Sequence, residues 1–120
     1  MLNPIREDFQ NALARFEEIL GFEKNDIYRD SAIKRFEICF DLAWKTVKDR
    51  ARREGLECYS PRECFKTGFQ LKLIEHDEGW LKMIDDRNRT AHMYNKEIAD
   101  DVYQNLPTYL ELFRLLDKKL

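Results

Sequence analysis

The sequence predicts an all-α protein, an antiparallel up-and-down bundle of four main helices and one short helix, in a single domain over residues 1–120. Three observations support this prediction. Apolar residues recur at intervals of three and four along most of the chain, and no stretch alternates with period two. Only four glycines and three prolines interrupt the chain. A length of 120 residues suits one domain with a real hydrophobic core.

Two long helices are predicted first. The first ends at Gly21 and presents one apolar face, formed by Ile5, Phe9, Leu13, Phe16 and Leu20. The second runs from about Asp26 to Arg53 and ends before Gly55. Its main stripe is joined by further apolar residues, Ile38, Cys39, Leu42 and Ala43. Because so wide an apolar arc needs more cover than a small bundle provides, we expect this helix to contribute to a dimer.

Three more helices follow, each with a start signal. In "SPRE", residues 60–63, Ser60 suits the N-cap, Pro61 the first helical position and Glu63 the reciprocal capping partner of a short helix. Asp77 is the expected cap of the fourth helix, and Asn95 that of the last. Pro107 falls inside the last helix and should bend it, because proline removes one donor and crowds the preceding turn.

Composition excludes several classes of protein. The formal charge is −2, so the chain as a whole does not indicate nucleic-acid binding. No apolar run approaches the ~18 residues of a membrane span, and the N-terminal residues lack a signal-peptide pattern, so we expect a cytoplasmic protein. The three cysteines show no metal-binding spacing; we expect Cys39 to be a small core residue, and neither a disulfide nor a zinc site.

One segment is locally basic. Residues 45–72 hold eight basic side chains (45, 48, 50, 52, 53, 62, 66, 72) against four acidic ones (49, 54, 57, 63). The simpler interpretation is a solvated helix face whose charges pair at helical spacing. The functional interpretation is a phosphate-facing patch, because a local field acts regardless of net charge.

The segment RNRTAHMYN, residues 87–95, concentrates groups that suit phosphate chemistry. Arg87 and His92 are five residues apart, which on a straight helix places them roughly 140° apart. They meet only if the helix breaks near Thr90 or if two protomers contribute one each. A histidine can move a proton near neutral pH, and an arginine can grip phosphate oxygens. Asn88 could orient a hydroxyl or the imidazole.

Plain structural roles account for the same residues. Arg87 could pair with Asp86 or with a carboxylate of another helix, Arg89 with Asp85, and His92 could cap a carbonyl. The pairs 85–86 and 100–101 suit helix-end charge better than a two-metal site. His76 and its acidic neighbours suit a solvated turn better than a metal site. No glycine-rich phosphate loop and no serine-hydrolase or zinc-protease motif is present, and no cofactor or metal is expected.

Three blocks, RDSAIKRFEICFDLAWKTVKD (29–49), SPRECFKTGFQLKLI (60–74) and RNRTAHMY (87–94), resemble the HepT-like branch of the HEPN superfamily. These proteins have also been described as substrate-binding partners of minimal nucleotidyltransferases. The family motif R-x4-H-x-Y falls on Arg87, His92 and Tyr94, with Asn88 as the polar residue after the arginine. The resemblance implies a helical homodimer that gathers both protomers' motifs in one cleft.

The resemblance further implies a metal-independent endoribonuclease toxin of a toxin–antitoxin pair. Its antitoxin would be a minimal nucleotidyltransferase that transfers AMP from ATP onto Tyr94. Arg87 and His92 would be catalytic and Asn88 supporting, with RNA as substrate and no membrane association. A second interpretation is a non-catalytic subunit that presents a substrate to a separate nucleotidyltransferase. A third is an interaction bundle whose polar motif only fixes the register of a dimer.

Overall fold

The computed structural model describes residues 3–75 and 78–120, and over these ranges the chain forms helices and no strand. There are five α-helices: α1 (Pro4–Leu20), α2 (Asp26–Arg53), α3 (Pro61–Gln70), α4 (Glu78–Arg89) and α5 (Lys96–Lys119). One turn of 3-10 helix, Thr90–His92, separates α4 from α5. The predicted all-α architecture of four main helices and one short helix is therefore confirmed. None of the described helices is long and apolar enough to cross a membrane.

The predicted helix starts are occupied by side-chain caps. Asn95 Oδ1 accepts from the backbone N–H groups of Glu97 and Ile98, and Ser60 Oγ accepts from the N–H of Glu63. The Glu63 carboxylate in turn accepts from the backbone N–H of Tyr59, one residue before the cap. The predicted cap Asp77 lies outside the described residues, as does His76. Pro107 lies inside α5 and is exposed; the bend expected there stays a prediction.

Aromatic side chains join the helices at the centre. The ring of Phe113 on α5 contacts three other helices, through Phe9 and Phe16 of α1, Phe36 of α2 and Trp80 of α4, with centroids 6.0–6.3 Å apart. Phe36 also stacks on Tyr109 at 5.3 Å. Each such ring, once buried, contributes on the order of 2 kcal/mol through lost contact with water. The apolar faces predicted from the sequence therefore pack together in one core.

Contacts between helices fix their directions. The N-terminal part of α2 meets that of α5 through Arg29 and Asp100, and the middle of α2 meets the middle of α5 through Phe36 and Tyr109. These two helices thus run in the same direction. Helix α4 runs opposite to α5, because Arg89 pairs with Asp101 while Trp80 contacts Phe113. The end of α4 is thereby placed beside the start of α5.

The wide apolar arc of α2 is mostly covered within one protomer. Cys39 and Ala43 are fully buried and Leu42 is half-buried, whereas Ile38 keeps 43% of its surface exposed. Bundle packing therefore accounts for most of the arc. A dimer contact through Ile38 stays a prediction.

The expectation that no disulfide forms was wrong. Cys58 and Cys64 are bonded, with their sulfur atoms 2.05 Å apart. The linear spacing gave no signal, because a C-x5-C pair has no fixed geometry in a chain. Here the extended segment before α3 and the first turn of α3 bring the two Cα atoms to 5.1 Å, within bonding reach. Cys39 remains a free, buried thiol, as predicted.

Burial raises the pKa of the Cys39 thiol from 9.0 to about 12, which makes stability depend on alkaline pH. The folded thiol keeps its proton to about pH 12, whereas the unfolded thiol loses it above about pH 9. The stabilisation is full below pH 9 and is lost as pH rises towards 12, at up to about 1.4 kcal/mol per pH unit. Urea unfolding of wild type and Cys39→Ala at pH 8–11 should therefore give curves that converge as pH rises. Parallel curves would contradict this assignment.

Candidate active site at the junction of α4 and α5

A buried carboxylate fixes the end of α4. Asp86 is 2% exposed and accepts from three donors: the Tyr109 hydroxyl at 2.5 Å, the Asn105 amide at 2.9 Å and Arg89 Nη1 at 3.0 Å. Arg89 also reaches Asp101 at 2.6 Å, and the hydrogen bond to Asp101, followed by that to Asp86, raises the pKa of Arg89. Burial, together with the bond to Asp86, raises the pKa of Tyr109. The network ties α4 to α5 directly before Arg87.

This network corrects the sequence interpretation of the paired carboxylates. Asp86 is a buried acceptor rather than helix-end charge. Arg89 pairs with Asp86 and Asp101, and not with Asp85 as the structural interpretation of the motif predicted. Asp100 pairs with Lys24 and Arg29, and the hydrogen bond from Arg29 lowers the pKa of Asp100.

The α-helix ends near Thr90, which is one of the two alternatives that the spacing of Arg87 and His92 left open; the other was a second protomer. The α-helical path ends at Arg89, and Thr90 begins a turn of 3-10 helix. The buried Thr90 hydroxyl donates to the backbone carbonyl of Arg87 at 2.7 Å. A hydroxyl that bonds back to its own helix competes with the helical ladder and favours such an ending. His92 and Tyr94 therefore lie beyond the end of α4.

The Arg87 guanidinium is held between two helices. Its Nη1 donates to Thr90 Oγ1 at 3.1 Å, and its Nη2 lies 3.5 Å from Asp41 Oδ2 on α2. Glu37 Oε2, also on α2, is 4.0 Å from Nη1. The side chain is 29% exposed, and its Nε is buried without a hydrogen-bond partner among the described residues. The prediction that Arg87 pairs with a carboxylate of another helix is confirmed, so an incoming anion must compete with Asp41.

His92 and Tyr94 form a second, exposed group. His92 Nδ1 lies 3.3 Å from the Tyr94 hydroxyl, and Tyr94 is 84% exposed. His92 is also exposed, so its imidazole is accessible to solvent or ligand. Asn88 is exposed at the end of α4. Within the described chain, no hydrogen bond or ion pair joins Arg87 to His92, or Asn88 to either of them.

The fold thus brings all four predicted residues to one junction but does not close them into one constellation. A fixed cation, an exposed imidazole and an exposed phenol lie within eight residues, about two helical turns of chain. This set suits an anionic ligand that carries a proton to be moved. The described residues contain no group of three or more side chains suited to holding a metal ion.

Sequence reasoning missed the contacts of Arg87 with Glu37 and Asp41, and it named Thr90 only as the point of a helix break and not as a partner of Arg87. The carboxylates on α2 are distant in the chain from the motif, and nothing in their spacing indicates this contact. Thr90 gave a weak signal, because a hydroxyl residue near a helix end often bonds to the last turn.

Comparisons with known proteins agree with the fold. The sequence profile described as "nucleotidyltransferase substrate binding protein like" matches residues 6–120. The crystal structure of a protein from Thermus thermophilus is 34% identical, with a TM-score of 0.84 over 90% of this chain and 94% of that one. A Haemophilus influenzae structure, described as the fold of a substrate binding domain of a nucleotidyltransferase, has a TM-score of 0.85 at 20% identity. It covers 95% of this chain and 97% of that one.

A curated relative adds a described activity. A Haemophilus influenzae protein described as probable ribonuclease HepT is 26% identical over 84 residues. The match covers 66% of this chain, and it spans 58% of the length of that relative.

Asp41→Asn should increase the affinity of the junction for phosphate groups. The change keeps the shape of the side chain and removes the charge that competes for Arg87. Because Asp41 is partly exposed, we expect the affinity for pyrophosphate to rise only about threefold. The affinity is measured by NMR titration. Asp49→Asn is the matched control, since it removes the same charge from α2 where it pairs with Arg53. An equal gain in both variants would show a general charge effect instead.

Proposed function

The chain belongs to the nucleotidyltransferase substrate binding protein-like family, and within that family we propose that it is a metal-independent endoribonuclease toxin. Its antitoxin would be a nucleotidyltransferase that adenylylates Tyr94, with both proteins acting in the cytoplasm. The observation that carries the proposal is the junction itself. A guanidinium fixed by a second helix and an exposed imidazole with a neighbouring phenol lie on one short stretch of chain.

The chemistry follows from the properties of RNA. The 2′-oxygen attacks the adjacent phosphorus, the bond from phosphorus to the 5′-oxygen breaks, and a cyclic phosphate and a free 5′-hydroxyl result. One proton leaves the 2′-hydroxyl and another must reach the departing oxygen. Imidazole suits either transfer near neutral pH. Arg87 would bind the phosphate oxygens and stabilise the charge that builds on them, after displacing Asp41.

A dimer would supply what one protomer lacks. Concerted transfer of two protons uses one acid and one base, and the described junction offers one imidazole. A two-fold axis beside the junction would bring two copies of His92 and Arg87 into one cleft. The Arg87 of one protomer could then face the His92 of its partner, although the two do not meet within a chain. Ile38, exposed on the same helix as Asp41, is a candidate for this contact.

Tyr94 is suited to control such a site. Its side chain is 84% exposed, so a nucleotidyltransferase can reach the hydroxyl. The oxygen would attack the α-phosphorus of ATP, releasing pyrophosphate and leaving AMP on the tyrosine. The added phosphate and base would lie next to His92, because Nδ1 of His92 is 3.3 Å from the Tyr94 hydroxyl. Negative charge and bulk there would exclude the RNA backbone.

A second candidate function is a non-catalytic subunit that presents a substrate to a nucleotidyltransferase. The pairing of Arg87 with Glu37 and Asp41 favours it, because a cation already neutralised by carboxylates is a weaker phosphate ligand. In this role Arg87 and His92 would be ligand contacts.

RNA cleavage by the purified protein separates the two functions. We expect His92→Ala to reduce cleavage of a labelled single-stranded RNA by about a thousandfold, because proton transfer to both oxygens is lost. Binding of RNA should change by less than about threefold, since the phosphate ligand remains. Arg87→Lys should lose both binding and cleavage, because an ammonium cannot replace a planar fork. Unchanged cleavage in purified His92→Ala would exclude the proposed catalytic role.

Modification is tested by intact mass. Incubation with a family nucleotidyltransferase and ATP should add one adenylate per chain, and Tyr94→Phe should remain unmodified. The phenylalanine variant keeps the ring and removes only the attacking oxygen. Addition of adenylate to the variant would place the modified residue elsewhere. No added mass in either protein, with the nucleotidyltransferase shown to be active, would favour the substrate-presenting function.

A further inference from the structure

A second surface lies at the opposite end of α4 from the motif. Two adjoining cavities, of about 490 and 420 Å³, share Phe69, Ile74, Glu75 and Trp80 in their walls. We call this surface the Trp80 groove. Three large apolar side chains along it, Phe69, Leu81 and Leu115, keep 46–48% of their surface exposed. Adjoining exposed apolar side chains of this kind mark binding sites more often than isolated ones do.

The rim of the groove is basic. Five cationic side chains line it, and Glu75 is the one acidic side chain among the described lining residues; the five are Arg62, Lys66, Lys72, Lys118 and Lys119. None of the five forms an ion pair within the described ranges. This contrasts with Arg50 and Arg53, from the same basic segment, which pair with Glu54 and Asp49. Part of that segment is thus a solvated helix face, and the rest borders an apolar groove.

Lys72 occupies an unfavourable backbone conformation at this rim. Its φ angle is 63°, in the left-handed region where glycine is the usual residue. The position follows the end of α3, where the N–H of Leu73 bonds to the carbonyl of Gly68 at 2.8 Å. A glycine there would relieve the backbone and remove the charge. The lysine therefore places a positive charge at this edge of the groove.

We propose that the Trp80 groove binds an amphipathic α-helix of a partner protein whose apolar face is flanked by carboxylates. The apolar walls would take the hydrophobic anchors of that helix, and the five cations would meet its acidic edges. An extended peptide has no strand edge to join in the described chain. The inference requires neither RNA cleavage nor modification of Tyr94.

Other occupants fit the groove less well. RNA needs several open ring faces for stacking, but of the three aromatic side chains in the walls only Phe69 is exposed, since Trp80 is 5% and Phe65 4% exposed. A second copy of this chain would have to offer an acidic apolar patch. A cavity beside the exposed Ile38 is bordered by Arg15 and Arg35 against one carboxylate, Asp8, and is therefore not the acidic apolar patch that a second copy would need.

The position of the groove leaves the motif accessible to a docked partner. Trp80 and Arg87 are seven residues apart on α4, about 10 Å along the helix axis. Leu81, Asp85 and Asn88 follow one another on the exposed side of α4, from the groove to the motif. A partner held at the groove would therefore stand beside the junction without covering it.

The test is titration of the full isotope-labelled chain with a designed helical peptide of about 18 residues, apolar on one face and flanked by glutamates. A matched peptide carries lysines in place of the glutamates. We expect the acidic peptide to shift the amide resonances of Ile74, Leu81 and Leu115, and to bind about tenfold more tightly than the basic one. Added salt should weaken the binding.

Charge variants test whether the acidic peptide binds at the Trp80 groove. The double change Lys118→Glu and Lys119→Glu should weaken binding of the acidic peptide about tenfold, whereas Arg52→Glu, an exposed charge reversal elsewhere, should change it less than about twofold. Lys72→Gly should weaken binding without lowering the free energy of unfolding, so a loss through misfolding is separated from a loss of charge.

Four outcomes would overturn the proposal. These are equal affinity for the two peptides, no binding of either, resonance shifts outside the groove, and an unchanged affinity in the Lys118 and Lys119 double variant. Groove resonances that respond to an RNA oligonucleotide rather than to the acidic peptide would assign the surface to nucleic acid. Resonances that move on dilution of the protein alone would assign it to a second copy.

Discussion

The buried carboxylate of Asp86 is the contact on which the arrangement of the motif depends. A charge with so little exposure is tolerable only if donors replace its water, and Tyr109, Asn105 and Arg89 do so from two helices. Removing one partner of such a network costs about 3–5 kcal/mol, because the remaining groups stay buried without compensation. A phenol, an amide and a guanidinium also impose direction, which apolar packing does not. The end of α4 is thus fixed in rotation as well as in position.

Because the rotation of α4 about its axis is fixed, neighbouring residues at its end face different surroundings. Asp86 points into the bundle, and Arg87, about 100° further round the helix, faces the carboxylates of α2. Three residues later the Thr90 hydroxyl bonds back to Arg87 where the α-helix ends, so His92 and Tyr94 lie beyond α4. The local rigidity of Arg87 and the exposure of His92 have one origin. Both follow from a helix that is anchored one residue before the motif and interrupted within it.

The sequence was most informative where the physics is local. The bounds of α2 and the caps Ser60 and Asn95 follow from side chains that satisfy backbone groups a few residues away, and all were predicted correctly. Four of the candidate site residues were found at one junction, because they are close in the chain. The predictions that were missing or wrong concern residues far apart in the chain, or depend on the exact direction of the backbone. The partners of Arg87 lie on α2, Asp86 was mistaken for surface charge, and the Cys58–Cys64 bond depends on how the chain enters α3.

The geometry also constrains how the possible functions relate to one another. Within the described chain, Arg87 pairs with carboxylates and forms no hydrogen bond or ion pair with His92, so the two do not form a complete site for phosphoryl transfer. The same arrangement is adequate for holding a phosphate-bearing ligand weakly. A monomer would therefore suit the substrate-presenting function, whereas the proposed cleavage would need a second protomer to supply another proton carrier and the cation facing it. The proposed cleavage would then depend on assembly, and a contact that prevents dimerisation would abolish it without touching Arg87 or His92.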